Sequence, residues 1–147
     1  MADIAYVRGL ARASDFLAVL AVARGDGTVH ASLVKAGIIE DPEDGAPSIG
    51  IVVAGKARKL ALLRKGRWAT AVFHDAGRWV AVEGPARLEG PDDPGPPGSG
   101  RAVSTVLRDV YKAAGGSHND WDEFDRVMAA ERRCALFVKA ARIVSNA

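Results

Sequence analysis

Cysteine is almost missing from this chain. Cys134 stands alone among 147 residues, so no intrachain disulfide can staple the fold, and a reducing compartment is expected. Cys134 reads as a small apolar packing residue. Aromatic side chains make up only 6%, too few for the stacking platforms of single-strand nucleic-acid binders. An excess of one charge is also missing. The net charge is +2, with Asp41, Glu43, Asp44, Asp92 and Asp93 interspersed among the bases, so no basic stripe tracks a nucleic acid. No run approaches the ~20 apolar residues of a membrane span, and the opening MADIAYVRGLARASD lacks the apolar core of a signal peptide. A soluble, cytoplasmic protein is expected. GxGxxG and GxxxxGK[ST] are absent, and with them the usual dinucleotide and nucleoside-triphosphate loops. His30, His74, His118 and Cys134 show no short ligand spacing, so no metal site is expected.

What is present is enough apolar material, 48% of the chain, for one core but hardly two, and a single domain over residues 1–147 is expected. Ile4, Val7, Leu10 and Ala11 recur at helical spacing and predict an opening helix that ends near Ser14. Phe16 to Ala23 and Thr28 to Lys35 flank Gly25-Asp26-Gly27 and predict a hairpin. By the two-residue period, Thr28, His30, Ser32 and Val34 share one face of its second strand, and Val29, Ala31, Leu33 and Lys35 the other. Gly37 to Pro47, rich in acids, glycine and proline, predicts an exposed turn, followed by a third strand from Ser48 to Ala54. Arg67 to His74 and Trp79 to Leu88 predict a second hairpin across Asp75-Ala76-Gly77, with a bulge or bend at Gly84-Pro85.

Gly90 to Gly100 reads as a loop within the domain. Val103, Val106, Leu107 and Val110 form one helical stripe, and Trp121, Phe124, Val127 and Met128 a second, capped by Asn119 with Asp120, Asp122 and Glu123 in its first turn. Cys134 to Val144 predicts a closing strand. About six strands outnumber the helices, and the order argues for a mostly β antiparallel barrel with peripheral helices.

Between the third and fourth strands lies a basic segment, KARKLALLRKG, carrying Lys56, Arg58, Lys59, Arg64, Lys65 and Arg67. Lys56, Arg58 and Lys59 fall in the first turn of the expected helix, where free backbone N–H groups would add to their pull on an anion. The same pattern also describes a solvated helix laid over the core by Ala57, Leu60, Ala61 and Leu63. Both readings stand on the sequence.

The motifs GTVHASLV (27–34), GKARKL (55–60) and WVAVEGPARL (79–88), in that order and spacing, resemble the split β-barrel flavin and deazaflavin oxidoreductases, the superfamily named after pyridoxamine 5′-phosphate oxidase. GGSHNDWDEF and DRVMAAERRCALFV resemble its branch that uses coenzyme F420. The resemblance runs from about Phe16 to Asn146. It implies a homodimer with two cofactor sites at the subunit interface, the cofactor phosphate being held by Lys56 and Arg58 with Lys59 nearby. His30, Ser32 and Val34 would line the ring or its linker, and Val53, Ala54 and Gly55 would offer backbone groups beside it. Leu60 and Trp79 complete the expected cofactor set. Trp79 either shields the ring or fills the dimer core. Where family members often carry asparagine before this leucine, the chain has Lys59.

The expected function is an oxidoreductase passing a hydride from F420 to a small unsaturated or quinone-like acceptor, with an FMN enzyme of the same fold as the alternative. A carrier that binds a cofactor or haem without turnover is the reading from another class. Because the cofactor carries the chemistry, no catalytic side chain is named. A proton reaches the product from His30 or from solvent, and His30 is equally readable as a core histidine. Arg64, Lys65, Arg67 and Arg87 are candidate partners for the anionic tail of F420. His118 and Trp121 either touch a ligand or pack. The ending ERRCALFVKAARIVSNA lacks the arginine-rich close associated with oxidation of pyridoxamine phosphate itself.

Overall fold

Asp3 starts the first helix: its carboxylate accepts the Tyr6 N–H at 3.0 Å, filling one of the vacant donors of the first turn. The computed structural model describes residues 2–147. Helix α1 (Ile4–Ala13) buries Val7, Leu10 and Ala11, the stripe its spacing predicts. The chain then runs through β1 (Leu17–Ala23), β2 (Val29–Lys35), β3 (Gly37–Glu40), β4 (Pro47–Val53), α2 (Arg58–Gly66), β5 (Trp68–Asp75), β6 (Arg78–Glu89), α3 (Val103–Ala113), α4 (Trp121–Ala130), β7 (Cys134–Lys139) and β8 (Arg142–Ser145). Every pairing is antiparallel. The order is β2-β1-β5-β6-β7-β4-β3, with β8 on the other part of β6. The sheet curls without closing, leaving β2, β3 and β8 as edges. This is a split β-barrel, and the expected fold class holds with eight strands among the described residues in place of about six.

The two additional strands have physical causes. Gly37–Glu40, expected as the start of an exposed turn, pairs with β4 and buries Gly37 and Ile38. A Cβ at position 37 would fall on the carbonyl of Ala113, so glycine here admits close contact with α3, and apolar Ile38 and Ile39 pack on the core and the α3 side. The turn proper is shorter, closed by Asp41 N–H to the Ala46 carbonyl at 2.8 Å. The expected closing strand is two. β7 pairs β4 and the end of β6, whereas β8 pairs the earlier part of β6, and the chain breaks between them at Ala140–Ala141. Gly84 marks the passage of β6 from one part of the sheet to the other. A Cβ there would strike the Lys139 carbonyl, so the bend expected at Gly84-Pro85 is a point of close backbone approach.

Two apolar clusters result. The larger is packed by Leu20, Ile49, Ile51, Leu60, Leu63, Phe73, Val80, Val82 and Leu136 under α1 and α2. The smaller lies between the sheet and the α3–α4 pair, around Val106, Val110, Phe124 and Phe137. Fully burying a side chain such as Phe73 or Phe137 contributes about 2 kcal/mol. Helix α4 is capped by Asp120, which accepts Glu123 N–H at 3.1 Å, and not by Asn119, one residue earlier. No helix among the described residues is long and apolar enough to cross a membrane.

Candidate functional site

β2 is an edge strand with two unlike faces. Its partners across β1 are Val22 for His30, Leu20 for Ser32 and Ala18 for Val34. Directly paired residues share a face, and Ala18, Leu20 and Val22 are buried, so His30, Ser32 and Val34 extend the core side outward. All three are half-buried. The opposite face of β2 is exposed.

The core-side face meets the basic segment. Val53 ends β4 facing the main core, Ala54 to Ala57 form the connecting turn, and α2 begins at Arg58. Lys56 therefore precedes the helix, whereas Arg58 and Lys59 lie in its first turn. Ala57 occupies the cap position with no side-chain hydrogen bond, so the first amides of α2 lack the partner that serine or aspartate would supply. Lys59 turns back across the strand, and its Nζ donates to Ser32 Oγ at 2.8 Å. Burial lowers the Lys59 pKa, and among the described residues no carboxylate pairs with this ammonium. His30 Nδ1, two positions from Ser32 on the same face, is a buried nitrogen without a hydrogen-bond partner. An uncompensated cation, an uncapped helix start and an unpartnered imidazole nitrogen thus converge, which fits a ligand that brings negative charge and a hydrogen-bonding atom.

Behind this corner, Ala54, Gly55 and Lys56 line a cavity of about 350 Å³ together with Ala130, Glu131, Arg132 and Arg133. Gly55 N–H donates to the Glu131 carbonyl at 3.1 Å, and a Cβ at 55 would sit 2.5 Å from the Arg132 carbonyl. The far wall lies some 75 residues downstream, within the DRVMAAERRCALFV segment, so only the folded chain brings it beside Gly55. Arg132 adopts φ 49° and forks onto Asp92.

The other expected residues divide. Leu60 is buried in the core, and its amide already serves the Ala57 carbonyl. Trp79 lies on the outer sheet face, opposite His30, Ser32 and Val34, and pairs with exposed His74. Arg64 is taken by Asp93 in a two-pronged bond of 2.8 and 2.9 Å. Arg87 is taken by Asp41, Glu43 and Glu89. Of the four candidates for an anionic tail, Lys65 and Arg67 stay exposed without a carboxylate among the described residues. His118 and Trp121 stack with Tyr111 and Phe124 at centroid distances of 4.9 to 6.2 Å in the α3–α4 layer, apart from β2. Cys134 is buried, and desolvation followed by the nearby Asp93 charge pushes its thiol up to about 12, so it packs as a neutral group.

The outer face of the sheet carries a second feature. Leu17, Val29, Leu33, Trp68, Trp79 and Val144 are exposed there, with Val19, Ala21, Ala31, Val72 and Ala81 among them by register. Leu33 and Val29 are 64% and 55% exposed, which is unusual for aliphatic side chains grouped into one continuous patch.

No family model and no curated protein matches the chain. Solved structures do. The conserved hypothetical protein Rv2991 from Mycobacterium tuberculosis is 20% identical, over 99% of this chain and 84% of that one, with a TM-score of 0.68. A pyridoxamine 5′-phosphate oxidase-related, FMN-binding protein from Nostoc punctiforme is 9% identical over 96% and 81%, with a TM-score of 0.63. PhzG from Burkholderia lata, in complex with tetrahydrophenazine-1-carboxylic acid, is 16% identical over 97% and 75%, with a TM-score of 0.55. The chain therefore has the split β-barrel fold of the pyridoxamine 5′-phosphate oxidase-like proteins.

Proposed function

We propose that the protein is an oxidoreductase that binds coenzyme F420 in the β2–α2 corner and reduces a small unsaturated or quinone-like organic acceptor. The observation that carries this reading is the Lys59–Ser32 contact, which draws the basic segment onto the strand face that bears His30 and leaves its charge unmatched. Lys56 and Arg58, with the free amides of α2, would hold the cofactor phosphate, with Lys59 nearby. His30, Ser32 and Val34 would lie along the ring or its linker, and Val53, Ala54 and Gly55 would present backbone beside it. When bound, the cofactor supplies the hydride. The chain's own tasks are to orient it, exclude water and deliver a proton, from His30 or from solvent.

Uncompensated Lys65 and Arg67 at the far end of α2 favour a cofactor with an extended anionic tail. FMN is the second reading, supported by the FMN-binding protein among the structural neighbours. The polycyclic carboxylic acid held by PhzG supports a flat organic acceptor for this chain.

The apolar outer face supports a homodimer. Five strands at ~4.8 Å spacing and about seven residues at ~3.3 Å rise give a flat footprint on the order of 500 Å², and side-chain relief brings it towards the ~800 Å² per partner of a standard interface. Trp79 would then fill that interface. A fluorescence titration of the protein with F420, and separately with FMN, tests the cofactor reading. F420 binding that Lys56→Ala and Arg58→Ala each weaken by about tenfold, roughly 1.4 kcal/mol, is expected. Binding of FMN alone transfers the reading to FMN, and binding of neither overturns it.

A further inference from the structure

We propose that Lys59 is an amine nucleophile that captures a small anionic aldehyde as an imine, at the point where its Nζ meets Ser32 on the face shared with His30. The inference rests on the same corner being an anion site, and names for it a second ligand class whose chemistry needs no redox cofactor.

The six lysines of the chain sit in unlike surroundings. Lys35 is paired with Asp15 and Lys139 with Asp44. Lys112 lies over the Trp121 ring at 5.0 Å. Lys56 and Lys65 are exposed. Lys59 alone is half-buried in its helix, with its ammonium directed at a hydroxyl and, among the described residues, no carboxylate to stabilise its charge. Burial without a counterion favours the neutral amine, consistent with the lowered pKa of this group. A neutral amine is the form that attacks a carbonyl.

The surroundings suit such a substrate. Arg58, Lys56 and the uncapped start of α2 offer positive potential for its anionic group. Ser32 Oγ holds Nζ at the strand face. His30 lies two residues away on that face, about 6.6 Å along the strand, with Nδ1 unpartnered.

The chemistry balances without an oxidant or reductant. The Nζ lone pair forms a bond to the aldehyde carbon while the carbonyl π pair moves to oxygen. A proton passes from nitrogen to that oxygen, giving a carbinolamine. His30 or solvent then protonates the hydroxyl, the C–O bond breaks, water leaves, and the nitrogen lone pair completes the C=N bond. One water is released per imine formed.

Pyridoxal 5′-phosphate serves as the probe. The cofactor-free 147-residue chain is incubated with one equivalent, reduced with borohydride, and mapped by peptide mass spectrometry. The expected label falls on Lys59, about tenfold above Lys56 or Lys65. Pyridoxal lacking the phosphate should label Lys59 about tenfold less, a difference of roughly 1.4 kcal/mol, and inorganic phosphate should compete. Ser32→Ala should slow labelling, and Lys59→Arg should abolish it with an unchanged circular dichroism spectrum. Label spread evenly over the lysines, led by Lys56 or Lys65, or indifferent to the phosphate overturns the inference. FMN and F420 titrations of the same preparation separate the two readings. Cofactor binding without Lys59 labelling overturns the imine alone, and Lys59 labelling without cofactor binding overturns the cofactor reading alone.

Discussion

Two basic corners of this molecule treat their charge in opposite ways. At the β3–β6 corner, Arg87 is three-quarters buried and saturated. It contacts Asp41 at 2.7 and 3.0 Å, Glu89 at 2.7 Å and Glu43 at 2.9 Å, and stacks 4.8 Å over Phe137. Arg101 adds a second cation to Glu89 at 2.9 Å, and burial opposes the Arg87 charge less than these partners favour it, so its pKa is raised. At the β2–α2 corner, Lys59 has one hydroxyl and Lys56 and Arg58 have no carboxylate among the described residues. The first corner answers its own charge and is complete as architecture. The second leaves Lys59 half-buried without a carboxylate among the described residues, the feature on which the proposed cofactor site rests. Residue type alone does not separate them; the local count of carboxylates does.

Arg87 holds the saturated corner together. Arg87→Ala leaves Asp41 and Glu89, 3% and 2% exposed, without their main cation, and should cost about 3–5 kcal/mol of stability in urea unfolding. A loss under about 1 kcal/mol would mean that water already reaches the carboxylates.

Next comes the reverse face of β2. Leu33→Arg places a cation on the apolar sheet face and should weaken the proposed dimer by about 2 kcal/mol or more, read by sedimentation. Cofactor affinity should fall with it if a second copy completes the corner. An unchanged mass would discard this face as the interface.

Lys59→Met should weaken ligand binding by about tenfold while leaving stability level or raised, the opposite of Arg87→Ala. Because the folded-state pKa of Lys59 lies below its ordinary value of 10.5, the unfolded chain holds more protons between those two values. Wild-type stability should therefore rise relative to Lys59→Met as pH climbs from the folded-state pKa of Lys59 towards 10.5.

The smallest effect concerns Glu89. Burial alone would raise its pKa, but hydrogen bonds from Arg101 and Arg87 bring it below the ordinary 4.5. Its contribution is present above that value and lost as pH falls through the folded-state pKa. Acid unfolding of Arg101→Gln should therefore begin at a higher pH than that of wild type.

Period-two and helical spacing made most elements legible: the α1 stripe, the two faces of β2, the Asp75–Arg78 hairpin and the α3 stripe lie where their side chains repeat, whereas the α4 stripe holds at Phe124 but leaves Val127 43% exposed. Reading failed where tertiary contact overrode composition. Gly37–Glu40 looked like a turn because glycine and acids dominate it, yet α3 needs that glycine and the core takes Ile38. Asn119 looked like the cap because asparagine caps well, but Asp120 holds the position. In the site, Lys56, Arg58, Lys59 and the His30–Ser32–Val34 face were legible as separate pieces. The roles of Arg64 and Arg87 were not, since their partners Asp93 and Asp41 lie 29 and 46 residues away.

Alternation and turn chemistry act over a few residues, so the sequence alone was enough for the local pattern: an antiparallel, mostly β chain with a basic helix after a buried strand. Only the tertiary structure decided which cations are neutralised, which side of the sheet remains uncovered, and that Lys59 meets Ser32 across 27 residues. Charge compensation and burial depend on distances through space, and the folded backbone alone sets those.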